Sequence, residues 1–463
     1  VSTRPQLLLL FACLVFAACP GLAWGNDDEP THEGKTVGQW VAQLKNMVPA
    51  VRGEAARSLG KIGARARRAV PALVEALGDS VPSVRVRAAD ALGLIGPDAA
   101  AAVPALIKAL KDSDEIVRRV AISSLGAIGA AAKEAVPALA LVLKDHDEYQ
   151  RRKAAEALAN FGRDARQAVP ALIDALGDRE RKVRSAAAEA LGWTGRGSAD
   201  AVAALANALK DKEIAVQFRA ARALAFFGPD AAPAVPALRE SMKSTDLDVR
   251  YESISALAYI GPGAKAAVPD LAVALKDASK DVRGRAAQAL GKIGPDAAPA
   301  VPALRESMKS TDLDVRYESI SALAYIGPGA KAAVPDLAVA LKDGSKDVRG
   351  RAAQALGKIG PDARAAARAL ADVLKDPDDS VRRLASEALQ KIEPVAASKP
   401  DRTKAPQESL FWPWIVGGAG AGLAVIVCAV VLIRRRAGGP AGNAPAIEGG
   451  SNGRQARPEN FQE

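Results

Sequence analysis

Eleven copies of one two-helix pattern, 33 residues apart with no insertion or deletion, predict an all-α solenoid over most of this 463-residue chain. Two further observations point the same way. Hydrophobic residues make up 49% of the chain and aromatics only 4%, so the core must be built from Ala, Leu, Val and Ile, which suits closely packed helices. Strand formers are too sparse and too irregularly placed for a sheet. Units of this length cannot bury their apolar faces alone, so each must stack on its neighbours.

The register is set by a Val-Pro pair whose proline recurs as Pro71, Pro104, Pro137, Pro170, Pro236, Pro269, Pro302 and Pro335, with Gly38, Ala203 and Arg368 in the remaining slots. Fourteen residues after each slot stands Arg52, Arg85, Arg118, Arg151, Arg184, Arg250, Arg283, Arg316, Arg349 or Arg382; only Gln217 breaks the series. Ala102 to Gly129 shows how one unit reads. Val103 to Lys111 has helical spacing, with Pro104 in the first turn where its missing N–H costs nothing. Asp112 to Asp114 supplies turn and N-cap chemistry. Val117, Ala121, Leu125 and Ile128 lie on one face of a second helix, and Gly126 and Gly129 are expected to close it. Each unit is therefore a helix A, a tight turn, a helix B and a short Gly-Pro-Asp-Ala connection.

The helix-A Pro, an Asp eight residues on and a Val-Arg pair fourteen residues on (Pro71, Asp79, Val84, Arg85; Pro335, Asp343, Val348, Arg349) resemble the HEAT repeat. The likeness is to the short bacterial form found in phycobilisome-lyase-like proteins, and it covers about residues 36–394. The Thr-Pro-Leu-His turn of ankyrin repeats and the Trp/Tyr/Phe pattern of tetratricopeptide repeats are absent. The resemblance implies an Asp–Arg ladder within or between neighbouring units. Its members here would be Asp79, Arg85, Asp112, Arg118, Asp145, Arg151, Asp178, Arg184, Asp277, Arg283, Asp343, Arg349, Asp376 and Arg382. Ser244 and Ser310 depart from that pattern, and Asp211 faces Gln217. The resemblance also implies that helix B lines a concave groove, in a rod of roughly 100 Å at about 10 Å per packed helix.

The ends differ from the array. Residues 1–25 read as a secretory signal, with Arg4, an apolar run from Leu7 to Ala18, and small residues around Gly25 for cleavage. Phe16 to Cys19 is similar to a bacterial lipobox, so lipidation at Cys19 is the alternative to cleavage. Residues 395–411 read as a Pro-rich, charged stalk, at most about 50 Å long. Residues 412–433 read as one transmembrane helix: Trp414 to Ile433 carries no charge, and Arg434, Arg435 and Arg436 place the following tail, 434–463, in the cytoplasm. The array, residues 26–394, then lies outside it. Gly418 and Gly422 form a GxxxG pair that could support weak dimerisation.

Composition excludes much chemistry. The net charge of +10 is spread thinly: 54 of the 63 Lys and Arg lie in the array among nearly as many carboxylates, which argues against a nucleic-acid stripe. All three cysteines lie in the two terminal apolar segments, and the two histidines are far apart in sequence, so no cofactor or metal site is expected. No phosphate loop or nucleophile elbow occurs. The expectation is a non-enzymatic scaffold for protein partners, with a lyase-like accessory factor or a passive spacer as alternatives. Gly228 to Ala297 and Gly294 to Ala363 are copies differing only at Ala278 and Gly344, which doubles Tyr251 and Tyr259 as Tyr317 and Tyr325. These tyrosines and Trp193, where the rhythm changes, are the candidate partner-binding residues.

Overall fold

The computed structural model describes residues 30–393. The segments read as a signal, a stalk, a membrane helix and a tail, with Cys19, Gly418 and Gly422, lie outside the described residues. Within them the fold is eleven helix pairs, from Val37–Gln43 with Pro49–Ile62 to Ala367–Val373 with Asp379–Ile392. Helix A has seven residues, except in the sixth repeat, and helix B has fourteen. Helix A begins at the Val-Pro pair, as in Val103–Ala109. In the turn, the Asp112 carboxylate accepts the Asp114 N–H at 2.9 Å. Asp114 then caps Glu115–Ile128 by accepting from Ile116 and Val117 at 2.9 and 3.1 Å.

Helix B ends at a glycine in the left-handed region, Gly129 having φ 64°, where a side chain would be strained. A seven-residue 3-10 segment, Gly129–Ala135, follows and runs directly into the next helix A. The expected four-residue connection is thus longer and helical. The sixth repeat shows what the Gly-Pro and Val-Pro signals do. It has Gly195 and Ala203 at those places, no 3-10 segment, and a ten-residue helix A, Ala199–Ala208, capped by Ser198.

Gly126 does not close a helix. It lies inside Glu115–Ile128, where a Cβ would fall 2.9 Å from Ala157 Cβ and 3.0 Å from its Cα. Gly60 against Ala91 and Gly357 against Ala388 repeat this contact, so at these junctions successive B helices touch at backbone distance. Each B helix packs along the B helices before and after it, and the A helices line the other side. Two leucine columns fill the space between the layers. One runs through Leu73, Leu106 and Leu139 on the A helices, the other through Leu92, Leu125 and Leu158 on the B helices, and all six are 0% exposed. Burial contributes about 1.5–3 kcal/mol for each such leucine. Within Pro82–Ala109 and Glu115–Val142, 18-residue windows reach mean hydropathies of 1.4 and 1.5, which here reflect this core.

One small sheet was not expected. Thr31–His32 pairs antiparallel with Lys35–Thr36 across a turn at Glu33 and Gly34, both with positive φ. The buried Trp40 donates its indole N–H to the His32 carbonyl at 3.1 Å, tying this hairpin to the first repeat.

Gly126→Val should therefore lower stability by about 1–3 kcal/mol through overpacking. Gly284→Ala, where a Cβ meets nothing within 4 Å, should raise it by about 0.5–1 kcal/mol. Urea unfolding followed by far-UV circular dichroism measures both, and equal effects would contradict the backbone-contact reading.

Candidate interaction surface

The ladder arginines fix one edge of the surface. Arg85 donates Nη1 to the Asp79 carbonyl of its own turn at 2.9 Å, while Nε and Nη2 fork the Asp112 carboxylate of the next repeat at 2.8 and 2.6 Å. The same fork joins Arg52 to Asp79, Arg151 to Asp178, Arg184 to Asp211, Arg250 to Asp277, Arg316 to Asp343 and Arg349 to Asp376. Each arginine thus holds its own turn by the backbone and the following repeat by a carboxylate. The planar guanidinium allows both because its five N–H groups point along fixed directions.

The exceptions correct several expectations. Asp211 is not left to Gln217: Arg184 forks its carboxylate, and Gln217 Nε2 donates to its carbonyl at 2.6 Å. Arg118 holds the carbonyls of Asp112 and Ser113, but Asp145 turns to His146 at 3.0 Å. Arg119 and Asp147 span that junction instead, 3.0 Å apart. Arg283 has Ser310 in the place of a carboxylate, and Arg382, in the last repeat, pairs with Asp379.

In Asp79, Asp112 and Asp376 the arginine hydrogen bond holds the carboxyl below its ordinary pKa, against the opposing push of burial. In Asp178 and Asp211 burial pushes upward most, yet the fork and a backbone N–H together outweigh it.

The aromatic candidates do not form one patch per copy. Tyr251 and Tyr317 pack against the core, while Tyr259 and Tyr325 are 62% and 60% exposed. Eight residues on a helix separate the members of each pair by about 80° and 12 Å, onto different parts of the surface. Trp193 stacks on Phe226 with centroids 4.6 Å apart. The repeat period places Trp193, Phe226 and Tyr259 in one column of consecutive B helices, and Phe226 is the member that sequence reading missed. Aligning the units by 33 residues would have found it.

Tyr251 and Tyr317 each wall a cleft over the first turns of three successive B helices. Arg285 lies 4.7 Å from the Tyr251 ring centroid, donates to its hydroxyl, and donates to Gln288 Oε1 at 2.5 Å. Arg351, Tyr317 and Gln354 repeat this arrangement. Gly284 and Gly350 open the floors, giving volumes of about 470 and 330 Å³. The third walls differ: Asp314 and Glu318 line the first cleft, and their counterparts Ser380 and Leu384 line the second. Leu384 comes within 3.2 Å of where a Gly350 Cβ would lie, which accounts for the smaller volume. Burial raises the Glu318 carboxyl, partly offset by Arg351 and Arg285. On the other side a groove of about 980 Å³ opens around Met308, Val339 and Ala369. Among the described residues no three His, Cys, Asp or Glu side chains converge as a metal-ligand set.

Stacked A/B helix pairs, a leucine core shared between neighbours and inter-repeat arginine clamps define an all-α solenoid. HEAT repeats match residues 38–126, 103–192, 136–209, 169–258, 235–324 and 301–390, and the chain belongs to the HEAT-repeat family. It is similar to a crystal structure described as an engineered protein, at 26% identity and a TM-score of 0.51, covering 77% of this chain and 98% of that one. Importin beta in an ammonium sulfate condition is 18% identical with a TM-score of 0.49, over 77% of this chain and 55% of that one. Kap121p is 15% identical with a TM-score of 0.47, over 78% and 45%. The chain thus spans about half the length of these last two proteins. Comparison with curated proteins gives no match.

The ladder has a pH signature. Because the folded Asp211 carboxyl is lowered, its contribution is complete above the unfolded value of about 3.9 and is lost as pH falls through the folded value. Arg184→Gln removes the fork and leaves burial to raise that carboxyl, so the acid-unfolding midpoint should move to higher pH. An unchanged midpoint in a circular dichroism titration would contradict the assignment.

Proposed function

We propose that this HEAT array is a scaffold that docks a protein partner on its B-helix face, through the Tyr251 and Tyr317 clefts. The observation that carries this is the doubling of one tyrosine–guanidinium cleft on one face of the stack. Tyrosine and arginine are the side chains that most often anchor protein interfaces, and here the core and Gln288 or Gln354 already hold them in place. The Trp193–Phe226 stack and the exposed Tyr259 extend the apolar area along the same helix layer. The likeness to phycobilisome-lyase-like HEAT proteins supports the scaffold alone, since the residues shared with them are the stacking Pro, Asp and Val-Arg.

The array is displayed outside the cytoplasm and tethered by one C-terminal membrane helix. This part of the proposal rests on the apolar N-terminal segment, the uncharged run Trp414 to Ile433, and the three arginines after it.

A membrane-impermeant amine crosslinker, applied to right-side-out vesicles carrying the full chain, tests both parts. Array lysines should be labelled and a crosslinked partner recovered. Gly284→Met with Gly350→Met, which fills both clefts, should cut that recovery at least tenfold. Unlabelled array lysines would refute the placement outside, whereas equal recovery from wild type and variant would refute docking in the clefts.

A further inference from the structure

Of the nine junctions that carry a ladder arginine, only that of Arg283 has no aspartate at the ladder position of the next repeat; Arg118 does not fork either, but Asp145 stands at its position. At seven junctions the Nε and Nη2 edge of an arginine forks the next repeat's aspartate, with N–O distances between 2.6 and 3.3 Å. Arg283 is anchored as the others are, with Nη1 donating to the carbonyls of Asp277 and Ala278 at 2.9 Å each. The residue that should meet its other edge is Ser310, whose hydroxyl accepts the Asp312 N–H at 3.2 Å. Among the described residues, Arg283 Nε and Nη2 have no partner.

The duplication explains how this arose. Ser310 is the copy of Ser244, and the residue before Ser244 in the ladder is the neutral Gln217. Copying the two repeats placed that serine behind an arginine. The junction is otherwise built normally: Lys280 reaches Asp312 at 3.3 Å, as Lys346 reaches Asp378 at 3.1 Å one duplication further on. There Arg349 also forks Asp376. What the eighth junction lacks is one carboxylate, in a place shaped seven times over for a carboxylate.

We propose that the Arg283–Ser310 junction is a carboxylate-binding site, in which an external carboxylate occupies the Nε/Nη2 fork that aspartate fills at seven other junctions. A half-buried guanidinium already held by two carbonyls loses little freedom on taking this ligand, and two parallel N–H bonds favour a planar oxyanion. The carboxylate can be a free small anion or a side chain of a protein. This inference stands apart from the cleft reading, because neither Arg283 nor Ser310 lines those clefts.

Thermal unfolding of the full chain in acetate, with chloride as the constant-ionic-strength reference, provides the test. Relative to Ser310→Asp, whose own carboxylate closes the rung, wild type should gain about 1–2 °C in Tm at acetate tenfold above its dissociation constant. Arg283→Gln should show the same missing response as Ser310→Asp. A second series uses the peptide acetyl-Gly-Asp-Gly-amide against its Asn counterpart. A response to acetate means that a free carboxylate suffices; a response to the Asp peptide alone means that the carboxylate must be carried on a chain. Responses equal in wild type and both variants, or no response to either probe, would overturn the proposal.

Discussion

The structure depends on one constraint: consecutive B helices must pack closely, at six of ten junctions on a glycine with no room for a Cβ and at the other four on an alanine. Gly126 against Ala157 leaves no room for a Cβ, and Gly60 against Ala91 and Gly357 against Ala388 are as tight. That approach lets short side chains complete a core with few aromatics, in which Leu125 and its equivalents are fully buried. It also brings each guanidinium within reach of the following repeat's carboxylate. The apolar contact supplies most of the stabilisation, while the fork sets the register between neighbours, since its geometry tolerates little sliding. An inserted residue would break both at once, which accounts for a period of 33 residues kept without change.

Repeated and unrepeated residues divide the work. Pro104, Gly129, Asp112 and Arg85 recur because each solves a stacking problem at most junctions. The side chains that depart from the rhythm are free of that duty. Tyr251 and Tyr317 lean on the core and carry Arg285 and Arg351, Trp193 rests on Phe226, and Asp314 and Glu318 give one cleft an acidic wall that its twin lacks. Duplication copied a surface, and the neighbouring repeats then made the copies chemically different.

Much of the fold was legible because periodicity is a local signal repeated many times. Val-Pro marks the start of helix A, and Asp114 marks the start of a helix B. Gly126 was misread because a glycine near a helix end looks the same whether it turns the chain or admits a neighbour. The Thr31–Thr36 hairpin was missed because two-residue strands carry no pattern. The ladder residues were legible, but their direction was not: an Asp lies six residues before its own repeat's Arg and 27 after the previous one, and sequence does not rank the two. The clefts were out of reach, since each is assembled from three repeats. Tyr251 and Tyr259 were grouped by sequence proximity, which the helix surface does not respect.

Each forking ladder arginine couples its repeat to the next. A double-mutant cycle at Arg151 and Asp178, with Arg151→Gln and Asp178→Asn read by native-state hydrogen exchange in the helices Glu148–Phe161 and Arg181–Thr194, tests it most directly. Coupling through the fork should give strong non-additivity: the double variant should lose little more protection than the worse single variant, and the loss should appear in both helices. Additive losses, or a loss confined to the helix carrying the substitution, would contradict it.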